Sequence, residues 1–225
     1  MTNHSPYKID PERMRAIRRM ESRDISDVAR MHRSSMGRSL WGRMGLGFLR
    51  RMYAALLDQP EFLAFVYEKD GRVVGFIAGT SNGPTLMRQV LYTHPRQLGV
   101  GWLRAAVRHP RSALRVIAGL GYFGISKPGE EVIAESFFCS FEKPFQRTGA
   151  AGHINKVLFD ELAWLGHSKV KVTIDSDNKA ALEQLRSWHF EEHGSFEFYG
   201  KWMTVLVLDL KNSARVEARQ WAAEG

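Results

Sequence analysis

The spacing of apolar positions switches between helix-like and strand-like several times along the chain, and each switch marks an element. MRAIRRM, residues 14–20, reads as a short first strand. In SRDISDVARMH, Ile25, Val28, Ala29 and Met31 fall on one helix face, with Asp24 or Ser26 available as a cap. A second helix in SLWGRMGLGFLRRMYAALLDQ gathers Leu49, Met52, Tyr53 and Leu56, and its early glycines put the start near Gly47. FLAFVYEKDGRVVGFIAGT is a hairpin, because two β-rich runs flank Asp70-Gly71, a pair suited to a type I′ turn.

The second half is more regular. EVIAESFFCSF is apolar on both sides of the alternation apart from Glu135 and small polar residues, which predicts a central strand. GAAGHINKVLFDELAWLG places Ile154, Val157, Leu158, Leu162 and Leu165 on one helix face, with Gly166 as its end. SKVKVTID alternates through Val170, Val172 and Ile174, SDNKAALEQLRSWHF forms a short capped helix, and SFEFYGKWMTVLVLDL closes the series as a hairpin or long strand. Strands and helices in this order call for an α+β (mixed α/β) fold around one sheet. Residues 1–13 read as a disordered lead, 14–210 as a single domain with a helical insertion at 84–129, and 211–225 as a tail forming a mobile or weakly docked helix. Within the insertion, two short helices are expected to split at His109-Pro110.

Composition narrows the classes. A chain of 225 residues with 44% hydrophobic content can bury a sizeable core. The single cysteine, Cys139, excludes an internal disulfide and a Cys-based zinc site, and fits a reducing compartment, most simply the cytoplasm. The eight histidines are dispersed without ligand spacing, so no metal is expected. No apolar run reaches the ~18 residues of a membrane span, and MTNHSPYKID lacks the apolar stretch of a secretory signal.

The net charge of +8 has one source. No carboxylate lies between Asp70 and Glu130, yet that stretch holds Arg72, Arg88, Arg96, Arg104, Arg108, Arg111, Arg115 and Lys127. Three readings compete: a cover over an acidic acceptor, an interfacial membrane patch with Leu98, Trp102, Leu103 and Val107, or ordinary amphipathic helices with solvated arginines. Nucleic acid is not expected, because aromatics are not interleaved with the cations as a stacking platform requires.

The sharpest local signal is FEKPFQRTGAAGHI, residues 141–154. A strand feeding a turn of small residues into a helix makes an anion site, since the first helical N–H groups lack partners and the dipole adds positive potential. Gly149, Ala150, Ala151 and Gly152 let a diphosphate approach the backbone, and Gln146 and Arg147 add donors. Close helix–sheet packing with nothing bound is the alternative. Dinucleotide and Walker fingerprints both fail on spacing.

Gln146-Arg147-Thr148-Gly149-Ala150-Ala151 resembles the Q/R-x-x-G-x-G/A motif of the GNAT acetyltransferase superfamily. The preceding ESFFCSF strand, the following helix, and Asp177-Asn178 with Ala181 and Phe190 are similar to the same family, as are IRRMESRDISDVARMH and EKDGRVVGFIAG. The resemblance covers roughly residues 14–80 and 130–210 and leaves the insertion outside.

It implies a mostly antiparallel twisted sheet of six or seven strands in which strands four and five splay apart. It also implies acetyl-CoA as co-substrate. The pyrophosphate would lie on Gln146, Arg147, Thr148, Gly149, Ala150, Ala151 and Gly152, and the pantetheine arm along Cys139, Ser140 and Phe141. Asn178 would touch the cofactor or hold the splayed strand, unless it is a plain helix cap. Glu135, eleven residues before Gln146, would be the general base for an attacking amine, with Glu131 as fallback. Backbone N–H groups near Cys139 would polarise the thioester oxygen, and Cys139 itself reads as a small packed hydrophobe.

Two positions depart from the family pattern. Leu185 stands where many relatives carry an acidic tyrosine, and His189 where they carry glycine before the final Phe. Tyr199, Ser187 and Tyr122 are weak substitutes for the acid. The expected acceptor is a small-molecule amine, anionic on the cover reading of the insertion, such as an amino sugar or nucleotide-linked sugar. A non-catalytic acyl-CoA-binding module and a protein in peripheral membrane contact are the alternatives. A homodimer through the last strands is compatible with the pattern.

Overall fold

The computed structural model describes residues 9–37, 39–95, 99, 107, 128–198 and 200–216. Seven strands form one sheet: β1 (Ile17–Arg19), β2 (Phe62–Lys69), β3 (Arg72–Thr80), β4 (Glu135–Phe141), β5 (Lys169–Asp175), β6 (Glu191–Phe198) and β7 (Lys201–Asp209). Their order is β1-β2-β3-β4-β5-β7-β6, so β4 is central, as its composition predicts. Every neighbouring pair is antiparallel except β4 with β5. Asp70 (φ 51°) and Gly71 (φ 71°) both adopt positive φ, which is the type I′ turn that Asp-Gly favours.

Helices cover both faces. On one lie α2 (Ile25–Met36), the single-turn α3 (Leu40–Arg43) and α4 (Leu46–Leu57), packing Val28, Leu49, Met52 and Tyr53 onto Val66, Phe76 and Ala78. Gly45 (φ 88°) breaks the chain between α3 and α4, so the second helix is two pieces. On the other face α6 (Ala150–Trp164) and α7 (Lys179–Ser187) bury Ile154, Leu158, Phe159, Leu182 and Trp188 against Ile77, Val170, Leu206 and Leu208. Asp24 does not cap α2. Its carboxylate accepts from the Glu21 N–H at 2.9 Å and pairs with Arg18 at 2.7 Å.

Three boundaries differ from the sequence expectation. Residues 11–13 are not a disordered lead but open a helix, α1 (Pro11–Arg15), capped by the Asp10 carboxylate and docked on α6. A single turn has too few positions to show a period. The insertion begins as α5 (Gly83–Thr93), with Asn82 accepting from the Thr85 N–H as its cap. The helix split at His109-Pro110 lies outside the described residues. Residues 211–216 run as turns rather than helix: Lys156 Nζ donates to Arg215 O at 2.8 Å, and the Arg215 guanidinium stacks 5.3 Å from the Trp188 ring. With α1 and this tail on its outer side, α6 buries even His153, Asn155, Lys156, Asp160 and Glu161.

Candidate active site

The central feature is a divergence in the sheet. β4 and β5 pair only at Glu135 with Lys171 and Ser136 with Val172. Beyond that, β4 keeps its partner on the β3 side through Phe141 with Gly75, while β5 turns to β7. Alternate N–H and C=O groups along residues 137–141 therefore face a gap, where an extended ligand could add as a strand. A β-bulge marks the divergence: Phe138 pairs with Ala78 and Ser136 with Gly79, leaving Phe137 as the extra residue.

Cys139 and Phe141 have their side chains on the α6 side of this edge, and Ser140 faces α2. Cys139 is exposed where β5 has left it, yet burial of its thiol pushes the pKa up to about 12, with Asn155 Nδ2 3.9 Å from Sγ. Such a thiol stays protonated and is no nucleophile near neutral pH. Ser140 donates from Oγ to Ser35 Oγ at 2.6 Å. The Phe141 ring is core, packed on Tyr67 and against Gly75, so only its backbone belongs to the edge.

At the end of the edge stands the turn Gln146–Gly152. Arg147 (φ 59°) and Gly149 (φ 87°) both adopt left-handed backbone, with Gly149 as the N-cap of α6. Left-handed residues alternating with ordinary ones turn successive N–H groups into one concavity, the geometry that holds anions. Among the described residues the N–H groups of Arg147, Thr148, Gly149 and Ala151 have no acceptor, whereas Gly152 N–H is taken by Gly149 O at 3.1 Å. Arg147, Thr148 and Gly149 are exposed, and Ala150 is buried beneath them. Gln146 differs from expectation: its Nε2 donates to Phe141 O at 2.8 Å and ties the turn to the end of β4.

Glu135 lies on the opposite face of the sheet from α6. It pairs with Thr80, as Phe138 pairs with Ala78 and Ser140 with Phe76, and paired residues point the same way. Its Oε1 accepts from Thr173 Oγ1 on β5 at 3.2 Å, and its Oε2 is 3.4 Å from where a Cβ on Gly83 would lie. Glu131 is drawn elsewhere, 3.7 Å from His193 Nδ1 on β6. Asn178 caps α7 by accepting from the Ala181 N–H at 3.3 Å and is exposed. Leu185 is buried beside Leu182 and Trp188. Ser187 spends its hydroxyl on Gln184 O, while Tyr199 and Tyr122 lie outside the described residues. His189 takes φ 64°, the conformation for which glycine is the usual residue.

The fold has counterparts among solved structures. SsHAT matches 86% of this chain and 97% of its own length with a TM-score of 0.63 at 20% identity. An N-acetyltransferase from Staphylococcus aureus Mu50 matches 85% and 99%, with a TM-score of 0.56 at 15% identity. The protein yncA from Salmonella typhimurium, solved with its cofactor acetyl-CoA, matches 92% and 95% with a TM-score of 0.54 at 15% identity. The chain has the GNAT fold. No protein-family model and no curated protein matches it.

Within the GNAT frame, two features escaped the sequence reading. Arg13 reaches the anion turn from α1, with Nη1 donating to Thr148 O. Both roots of the insertion open on the Glu135 face. Gly83 N–H donates to Ile133 O at 2.9 Å, and Gly129, whose carbonyl accepts from Lys171 Nζ at 3.3 Å, lies against Val205 and Val207. Among the described residues no three His, Cys, Asp or Glu side chains gather as a metal site, and no helix is long and apolar enough to cross a membrane.

Proposed function

We propose that the protein is an acetyl-CoA-dependent N-acetyltransferase acting on a small amine, with Glu135 as general base. The observation that carries this is the pairing of an open β4 edge with a concave turn of free N–H groups at its end. The first suits the amide-bearing pantetheine arm and the second suits a diphosphate, so together they measure out one ligand. The GNAT neighbour solved with acetyl-CoA supports the same occupant.

In this reading the thioester lies near Cys139 and the amine approaches from the α2 side. Glu135 removes the amine proton as nitrogen bonds to the carbonyl carbon. The C–S bond then breaks, acetamide forms, and CoA leaves as thiolate. With Leu185 in the tyrosine position, no phenol stands there to protonate it. A thiol of ordinary pKa ~8.5 leaves as the anion and takes its proton from water. Thr173 and the start of α5 hold the Glu135 carboxylate toward the acceptor side.

The acceptor we favour is anionic. Arg96, Arg104, Arg108, Arg111, Arg115 and Lys127 lie in sequence between insertion roots that flank Glu135. A carboxylate- or phosphate-bearing amine, such as a nucleotide-linked amino sugar, matches that charge.

Calorimetric titration with acetyl-CoA, desulfo-CoA and ATP, followed by CoA release with a panel of amines, tests the reading. Micromolar binding of both CoA species over ATP is expected, with turnover on anionic amines. Glu135→Gln should lower turnover by about 10²- to 10⁴-fold while leaving acetyl-CoA affinity within about twofold. Full turnover in Glu135→Gln at every pH would remove the base assignment, and binding without turnover on any amine would favour a non-catalytic acyl-CoA module.

A further inference from the structure

Arg13 brings a cation to a turn whose electrostatic potential is already positive. Its Nη1 donates to Thr148 O, and it lies 2.8 Å from the position of a Cβ on Gly149. That is the N-terminus of α6, whose dipole is already positive, and Arg147 adds a second exposed cation. Asp10 offsets part of the charge, with Oδ2 3.0 Å from Arg13 Nε, but the same carboxylate also caps α1.

The placement of Arg13 is built rather than incidental. Asp10 N–H donates to His153 Nε2 at 3.1 Å, and His153 Nδ1 is 2.9 Å from Gly149 O. Nε2 must accept from an N–H, so the proton is on Nδ1 and donates to Gly149 O. His153, itself buried, thus joins the entry to α1 directly to the N-cap of α6. Arg13 rides on α1 with its side chain only a third exposed. Of its five N–H groups one on Nη1 is used on Thr148 O and the Nε one faces Asp10, and the guanidinium stays at the mouth of the turn.

We propose that Arg13 is a phosphate ligand of the Gln146–Gly152 turn, so that the N-terminal helix completes the diphosphate site. This rests on the acetyl-CoA reading above and adds to it a residue that lies outside the Q/R-x-x-G-x-G/A motif. With Arg13 and Arg147 on the turn and Asp10 behind, two cations against one anion leave the turn net positive beside the positive end of α6, the sign a diphosphate calls for.

The experiment is calorimetric titration of acetyl-CoA into wild type, Arg13→Gln and Arg13→Lys over a range of ionic strength, with thermal unfolding of each unliganded protein. Loss of one charge-assisted contact should weaken binding by about tenfold in Arg13→Gln. The deficit should shrink as salt screens it, Arg13→Lys should keep most of the affinity, and the unliganded midpoint of Arg13→Gln should not fall. Wild-type affinity in Arg13→Gln overturns the proposal and leaves the acetyl-CoA reading intact. So does a loss that salt does not change and Lys does not restore, because Arg13 is then only a strut. If wild type binds no acetyl-CoA, the cofactor reading falls and this inference falls with it.

Discussion

Gly149→Ala and Gly149→Asp together weigh strain against charge at the turn. At φ 87° either side chain pays the left-handed penalty, about 1 kcal/mol. Either Cβ also meets Arg13 Nη1 at 2.8 Å, but that atom ends a flexible side chain and can withdraw. These costs are common to both, so the difference between them isolates one negative charge. Two unit charges about 5 Å apart at an effective dielectric near 20 interact by about 3 kcal/mol, and exposure and salt reduce this to about 1.5 kcal/mol. Against both charges of a diphosphate the sum is about 3 kcal/mol, a factor of about a hundred in affinity. Acetyl-CoA titration should therefore find Gly149→Ala within about fivefold of wild type and Gly149→Asp about a hundredfold weaker than Gly149→Ala. The unfolding midpoint of unliganded Gly149→Asp should be no lower than that of Gly149→Ala, since an N-cap carboxylate favours the helix, so weaker binding by Asp cannot come from lost stability. Equal affinities for Ala and Asp would mean that no phosphate sits on this turn, and QRTGAAG would revert to a packing device.

Two further predictions concern stability. His32 is fully buried between Tyr53, Phe76 and Phe138, with Nδ1 2.7 Å from the Tyr53 hydroxyl, and burial pushes its pKa from 6.5 down to about 4. The unfolded chain binds the extra proton between those values, so this contribution is whole above pH 6.5 and is lost as pH falls toward 4, by about 3 kcal/mol. Urea unfolding against pH should show that slope in wild type and lack it in a His32→Leu/Tyr53→Phe double variant, which leaves no orphaned hydroxyl; an unchanged slope refutes the assignment. Gly75→Ala would put a Cβ 2.2 Å from the Phe141 ring, so it should cost about 1–3 kcal/mol and weaken acetyl-CoA binding through Gln146, which holds Phe141 O. Adding Phe141→Leu should recover part of both in a double-mutant cycle, and strict additivity would show that the contact carries no cost.

Legibility in the sequence followed the range of the interactions. The Asp70-Gly71 hairpin, the α6 stripe from Ile154 to Leu162 and the Gln146–Gly152 turn are written in adjacent residues, and each formed where expected, whereas Leu165, expected on that stripe, ends the helix and is exposed. What long-range contact decides was not readable. Gln146 carries the right chemistry for a phosphate donor, but its partner is a carbonyl five residues back, exposed by the end of β4. Arg13 resembles any arginine in a polar lead until α1 docks on His153. The buried polar side of α6 contradicts its amphipathic reading because α1 and residues 211–216 cover the face that the pattern assigns to solvent.

The bulge at Phe137 shows why the site itself needed three dimensions. In a regular strand, side chains alternate, so Glu135 would share a face with Phe137 and Cys139 and oppose Phe138 and Ser140. That alternation would turn Glu135 to the α6 side, with Cys139. The extra residue breaks the parity. Glu135 pairs with Thr80 and Phe138 with Ala78, which puts both on the α2 side with Ser140 and Ser35. The same residue lies where β5 stops pairing, so one insertion into the ladder coincides with the opened edge and with Glu135 facing the α2 side of it. On the proposed reading, the CoA arm would lie in the plane of the sheet along the open β4 edge while Glu135 faces the α2 side on the adjoining stretch of the same strand. Direct transfer would then be served by that separation, because the amine could reach the carbonyl from a side that the CoA arm does not fill.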